Sequence, residues 1–133
     1  MNALGSSAAV HRPTLWFGLL GGALAWTAHL MFAYAAAEFG CVGGWGHGRY
    51  LDVSFVAWLE VALTAVTATI AAASTFVAYR YHRRLATLQI ASAEVSAHAT
   101  QRYIAFVGLL AGSLFFVAIL FESIPIFFYL RHC

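Results

Sequence analysis

Three ionisable residues stand inside long apolar stretches of this sequence: His29, Glu60 and Glu122. A charged side chain near the middle of a bilayer costs about 2.5–3.5 kcal/mol on insertion scales, so each of them requires a partner, a proton or a wet cavity. One imidazole and two carboxyls can form a buried hydrogen-bonded cluster, in which a neutral His29 bonds a protonated glutamate. They can also act as a proton relay or bind a metal ion. A second group has ligand or redox character: Cys41, His47, His132 and Cys133. A disulfide between Cys41 and Cys133 is the simplest reading, with unpaired thiols and a Cys2His2-type zinc or copper site as alternatives. Adjacent His132 and Cys133 lack the separation of common zinc motifs, and no CxxC supports a metal.

The stretches that carry these residues are long enough to cross a membrane, which takes about 20 residues at 1.5 Å each. They run over 15–39, 53–79 and 103–130. Composition agrees: 62% of the 133 residues are hydrophobic and 9% are charged, against roughly 25% charged in a soluble domain. The expected fold is all-α, a single membrane domain over 1–133 built as a three-helix bundle. Counted from the ends nearest 40–52 and 130, His29 lies about 15 Å deep, Glu60 about 12 Å and Glu122 about 12 Å, which puts the three in one layer.

Arginine placement orients the spans, since basic residues near span ends favour the cytoplasm. Arg12, Arg80, Arg83, Arg84 and Arg102 fall on one side, Arg49 and Arg131 on the other. The N-terminus and the connection over about 80–102 are therefore expected in the cytoplasm, and the C-terminus outside. The Ala- and Ser-rich 85–101 segment contains neither Gly nor Pro, so helix two or helix three is expected to continue past the membrane.

Small residues four apart mark faces for close packing: Gly18 with Gly22, and Gly108 with Gly112. They serve either packing within the bundle or docking onto a partner helix. Pro125, three residues after Glu122, removes a backbone bond near the end of helix three and is expected to kink it.

Several chemistries are excluded. The chain has seven Arg, no Lys and a net charge of +2, too little basic surface for nucleic acid and no amine for a Schiff base, a P-loop or a Ser-Lys dyad. Only His29 lies within a span and no CxxCH occurs, so one protomer lacks the second ligand of a bis-His haem. GxSxG, HExxH and GxxxxGK[ST] are absent. No independent catalytic activity is indicated, and no cofactor of the chain's own is expected.

Helix one reads Trp16-x-Gly18-x-x-Gly21-Gly22-x-x-Ala25-Trp26-x-x-His29-Leu30, followed by Tyr34, Glu38 and Cys41. With Ile124-Pro125 and the terminal Cys133, it resembles the small multi-helix membrane proteins encoded beside haem-copper cytochrome c oxidases in bacteria. Helix two matches only as an apolar span. Ala23 stands where a proline is expected after the paired glycines, and Glu122 stands where that group often has Gln. The resemblance supplies no established activity. It implies a multi-pass protein of the bacterial cytoplasmic (inner) membrane and an accessory or assembly role beside a terminal oxidase, haem or copper entering only through that partner. Its matched positions are His29, Cys41, Pro125 and Cys133. Two other readings follow from the residues themselves: a self-associating pore or small transporter with His29, Glu60 and Glu122 along a path between protomers, and an outer-face copper or thiol-redox handler using Cys41 and Cys133.

Overall fold

In a computed structural model, the described residues are 12–44, 48–87 and 95–131, the side chains of Arg12 and of 95–97 excepted. Three long helices dominate: α1 Arg12–Ala35, α2 Phe55–Thr87 and α3 Val95–Leu130. A π-helical segment, Ala36–Val42, prolongs α1, and two short strands, β1 Arg49–Tyr50 and β2 Val53–Ser54, precede α2. The spans Pro13–Val42, Phe55–Thr87 and His98–Leu130 are each long and apolar enough to cross a membrane. The three helices all pack against one another, so the chain is an all-α three-helix bundle. At 1.5 Å per residue the 33 residues of α2 rise roughly 50 Å, well beyond the ~30 Å hydrocarbon layer. Both α2 and α3 therefore extend past the expected spans, α2 to residue 87 instead of 79 and α3 from residue 95 instead of 103. His98 bridges the two extensions: its Nε2 donates to the Leu85 carbonyl at 2.8 Å, one of the last four carbonyls of α2, which have no partner within the helix.

The interior is made of small residues. Of the eleven buried apolar side chains among the described residues, seven are alanine, and large apolar side chains such as Leu24, Met31, Phe32, Leu114 and Phe121 are exposed. In water this distribution would be unstable. In lipid it is the expected one, since tails solvate Leu and Phe as well as a core does, and association relies on close backbone approach. The predicted glycines provide that approach. A Cβ at Gly22 would lie 2.9 Å from the Gly112 Cα, one at Gly108 2.7 Å from the Gly18 carbonyl oxygen, and one at Gly112 2.6 Å from Thr75 Oγ1. A Cβ at Gly18 would lie 3.4 Å from Ala78. The four glycines thus lie at contacts among α1, α2 and α3 inside the bundle, and are not free to dock a partner helix.

The opposite end is closed by a serine. Ser54 precedes α2 and accepts the Ala57 N–H at 3.2 Å, an N-cap interaction, while its hydroxyl donates to the Leu130 carbonyl at 2.5 Å. One buried side chain thereby satisfies a donor at the start of α2 and an acceptor at the end of α3. The strands pair antiparallel, Arg49 opposite Ser54 and Tyr50 opposite Val53, and the turn residues Leu51 and Asp52 have φ of 52° and 58°. Two positive φ values give the mirror-image turn that matches hairpin twist. Helix α3 stays helical through Pro125 to Leu130.

Substituting Gly22→Val or Gly108→Val should lower stability by about 1–3 kcal/mol, because each added side chain meets backbone that cannot move aside. Leu24→Val, on a residue 65% exposed, should change it by less than about 0.5 kcal/mol. Equilibrium unfolding in mixed detergent micelles measures both, and a glycine variant as stable as Leu24→Val contradicts the packing described.

Candidate functional site

His29, Glu60 and Glu122 project from α1, α2 and α3 toward the half of the bundle nearer Ser54 and Leu130. His29 is 0% and Glu60 1% exposed, and His29 Nε2 lies 3.4 Å from Glu60 Oε1. Two hydroxyls face the ring and a third joins one of them. Thr67 Oγ1 is 3.3 Å from Nδ1, Ser123 Oγ is 3.3 Å from Nε2, and Thr64 Oγ1 is 2.9 Å from Ser123 Oγ. Thr67 also donates to the Leu63 carbonyl at 2.8 Å and Ser123 to the Ile119 carbonyl at 2.6 Å. The two hydroxyls therefore flank the two ring nitrogens, one of which donates and the other accepts in the neutral imidazole, the tautomer setting which is which.

Glu122 takes a different partner. Its Oε2 accepts from Trp26 Nε1 at 2.9 Å, and the Trp26 ring packs against Phe115 with centroids 5.3 Å apart. The depth-matched layer is therefore two linked contacts: His29 with Glu60 and hydroxyls of α2 and α3, and Trp26 with Glu122. One residue along a helix is a rotation of about 100°, and this turns Ser123 toward His29 while Glu122 faces Trp26.

Glu60 is the incomplete member. Neither of its carboxyl oxygens makes a hydrogen bond of good geometry among the described residues; Oε1 lies 3.4 Å from His29 Nε2, and the Thr64 side chain is a hydrogen-bonding neighbour. It lies beside a groove of about 360 Å³ between α2 and α3 and a second of about 300 Å³ between α1 and α2. A third groove, about 380 Å³, contains Pro125 and Tyr34 between α1 and α3.

From the sequence alone, Thr64, Thr67, Ser123 and Trp26 are not assigned to this polar set; Trp26 stands only in the helix-one pattern and Thr64 only as a small residue for packing. A signal was present, since Glu60, Thr64 and Thr67 share one helix face at i, i+4 and i+7, and Trp26 lies one turn before His29. Among the described residues no group of three or more His, Cys, Asp or Glu is arranged to hold a metal. Cys41, in the π-helical segment, is disulfide-bonded. The other residues named for an outer metal or thiol site, His47, His132 and Cys133, lie outside the described residues.

The fold and this buried polar set define an all-α multi-pass membrane protein. Compared with protein-family models, curated proteins and solved structures, the chain matches none.

A double-mutant cycle on Trp26→Phe and Glu122→Leu should give a coupling of about 0.6–1.7 kcal/mol, the range for interhelical hydrogen bonds in membranes. Additive effects of the two substitutions contradict the contact. Ser54→Ala should cost about 1 kcal/mol through the lost cap alone, read in the same unfolding assay, and an unchanged midpoint overturns the double role of Ser54.

Proposed function

We propose that this chain is a non-catalytic accessory or assembly subunit of a membrane respiratory complex, with a haem-copper terminal oxidase as its partner. It works in the cytoplasmic membrane of a bacterium with its N-terminus inside and its C-terminus outside. Any haem or copper belongs to the partner. The resemblance of helix one and the C-terminus names the partner, and one observation supports the type of role: the groups capable of chemistry are turned inward and tied to one another. His29 is enclosed by residues of α2 and α3, and Glu122 is held by Trp26. The bundle offers its surroundings apolar side chains and shallow grooves, which suits a protein acting through contact in the membrane plane.

The same observation disfavours the pore reading. A path between protomers needs its polar residues on an outer face, whereas His29 and Glu60 are almost fully enclosed within one protomer. A path through the protomer meets the glycine contacts, where a single added Cβ would collide with backbone. Thiol-redox handling needs an accessible cysteine thiol, and the bonded state of Cys41 does not supply one.

Pull-down of the tagged protein from native membranes in mild detergent, with an optical haem spectrum and protein identification of the eluate, tests the proposal. Co-purified oxidase subunits with haem absorption are expected. A colourless eluate holding only this chain, in a discrete larger particle, overturns the accessory role in favour of self-association.

A further inference from the structure

At the end of the bundle away from Ser54, α2 carries the run Tyr79-Arg80-Tyr81-His82-Arg83-Arg84. At about 100° per residue, Arg80, Arg83 and Arg84 fall on one strip of the helix, on the side opposite the buried Ala71, Ala78 and Leu85. All three are exposed, so the strip faces away from α1 and α3. No charged residue stands between Glu60 and Arg80. From Phe55 to Tyr79 the helix rises about 37 Å at 1.5 Å per residue, a length between the ~30 Å hydrocarbon layer and the ~40–45 Å of a bilayer with its headgroups. The strip therefore begins at headgroup depth. Helix side chains lean toward the N-terminus, and in α2 that direction leads into the bilayer. Two of the guanidinium groups follow it: Arg80 lies over the Phe76 ring at 5.6 Å and Arg83 over the Tyr79 ring at 5.9 Å.

The strip has no counter-ion within the described bundle. The only ion-pair contact among the described residues joins His29 to Glu60. Glu38, Asp52, Glu60 and Glu122 lie in the half nearer Ser54, and Glu94 lies outside the described residues. Stacking on a ring uses none of the five N–H donors of a guanidinium, and Arg83 spends one on the Tyr79 hydroxyl at 3.3 Å. Most donors of Arg80 and Arg83 thus stay available to an acceptor at headgroup depth. An anion with several oxygens matches them, because a planar guanidinium binds phosphate through paired N–H groups. The surface beside the strip adds a second requirement: toward the bilayer centre the same side of α2 shows Phe76 and Val66, 57% and 59% exposed, which suit an apolar chain. A phospholipid with net negative charge joins both parts in one molecule. We propose that Arg80, Arg83 and Arg84 hold the phosphate of an anionic phospholipid, with an acyl chain lying along Phe76 and Val66. This goes beyond the accessory role and does not depend on it.

Electron spin resonance on the full chain in phosphatidylcholine bilayers tests the proposal, using phosphatidylglycerol and phosphatidylcholine spin-labelled on an acyl chain. The protein should restrict phosphatidylglycerol with a relative association at least about fivefold above phosphatidylcholine, since each arginine near an anionic headgroup contributes on the scale of that factor. Arg80→Gln, Arg83→Gln and Arg84→Gln together should bring the ratio below about twofold. Arg131→Gln removes one charge at the opposite end and should leave the ratio unchanged, whereas Arg83→Gln alone should lower it. Arg80→Lys, Arg83→Lys and Arg84→Lys together keep the charge but lose the planar fork, and should at least about halve the ratio. Equal restriction of the two lipids overturns the proposal, as does a preference that survives in a triple Gln variant of unchanged helical circular dichroism. An undiminished ratio in the triple Lys variant overturns it in favour of diffuse attraction to the membrane surface.

Discussion

Helices α1 and α3 approach backbone to backbone at Gly18, Gly22, Gly108 and Gly112, and the rest of the bundle depends on that approach. In lipid the hydrophobic effect does not drive helices together, so what holds them is dispersion over closely matched surfaces and hydrogen bonds that lipid cannot supply. Where a Cβ would lie 2.9 Å or less from facing backbone, only glycine permits the contact. Toward Ser54 and Leu130 lie the imidazole and the two carboxyls with their partners. The short hydroxyls of Thr67 and Ser123 reach His29, and that of Thr64 reaches Ser123, because the helices are already close.

This division explains why a membrane protein carries an imidazole and two carboxyls at mid-depth. Each unpaired polar group in hydrocarbon is unfavourable by several kcal/mol, so groups on three helices specify which faces meet, a constraint that apolar packing alone does not impose. Trp26 with Glu122 fixes α1 against α3, His29 with Thr67 fixes α1 against α2, and Thr64 with Ser123 fixes α2 against α3. Ser54 adds a fixed point at the end by joining the start of α2 to the last carbonyl of the described α3 helix. Glu60 meets His29 across the α1–α2 contact at 3.4 Å and is enclosed with it.

The three spans were legible in the sequence because apolar runs of that length have few other uses, and the glycine faces because four-residue spacing puts small residues on one side of a helix. The depth of His29, Glu60 and Glu122 was also legible, since depth needs only a residue count. Rotation was not: a count along the chain cannot say that Ser123, one position past Glu122, is the residue facing His29. The hydroxyl partners went unmarked because Ser and Thr in membrane helices commonly bond their own preceding turn, as Thr69 and Ser113 do here. The hairpin before α2 carried no signal of the usual kind, because Leu51-Asp52 occupies positive φ where Asn-Gly or Asp-Gly is expected. The π-helical segment after Ala35 likewise has no marker in Ala36-Ala37-Glu38.

The central claim is that His29 is held inside the bundle by α2 and α3. Nuclear Overhauser measurements on the ring protons of His29, with the protein in nanodiscs of protonated lipid, test it most directly. The account predicts cross-peaks from the His29 ring to Thr67 and Ser123 and none to lipid acyl chains. Cross-peaks to acyl chains without those to Thr67 and Ser123 contradict it.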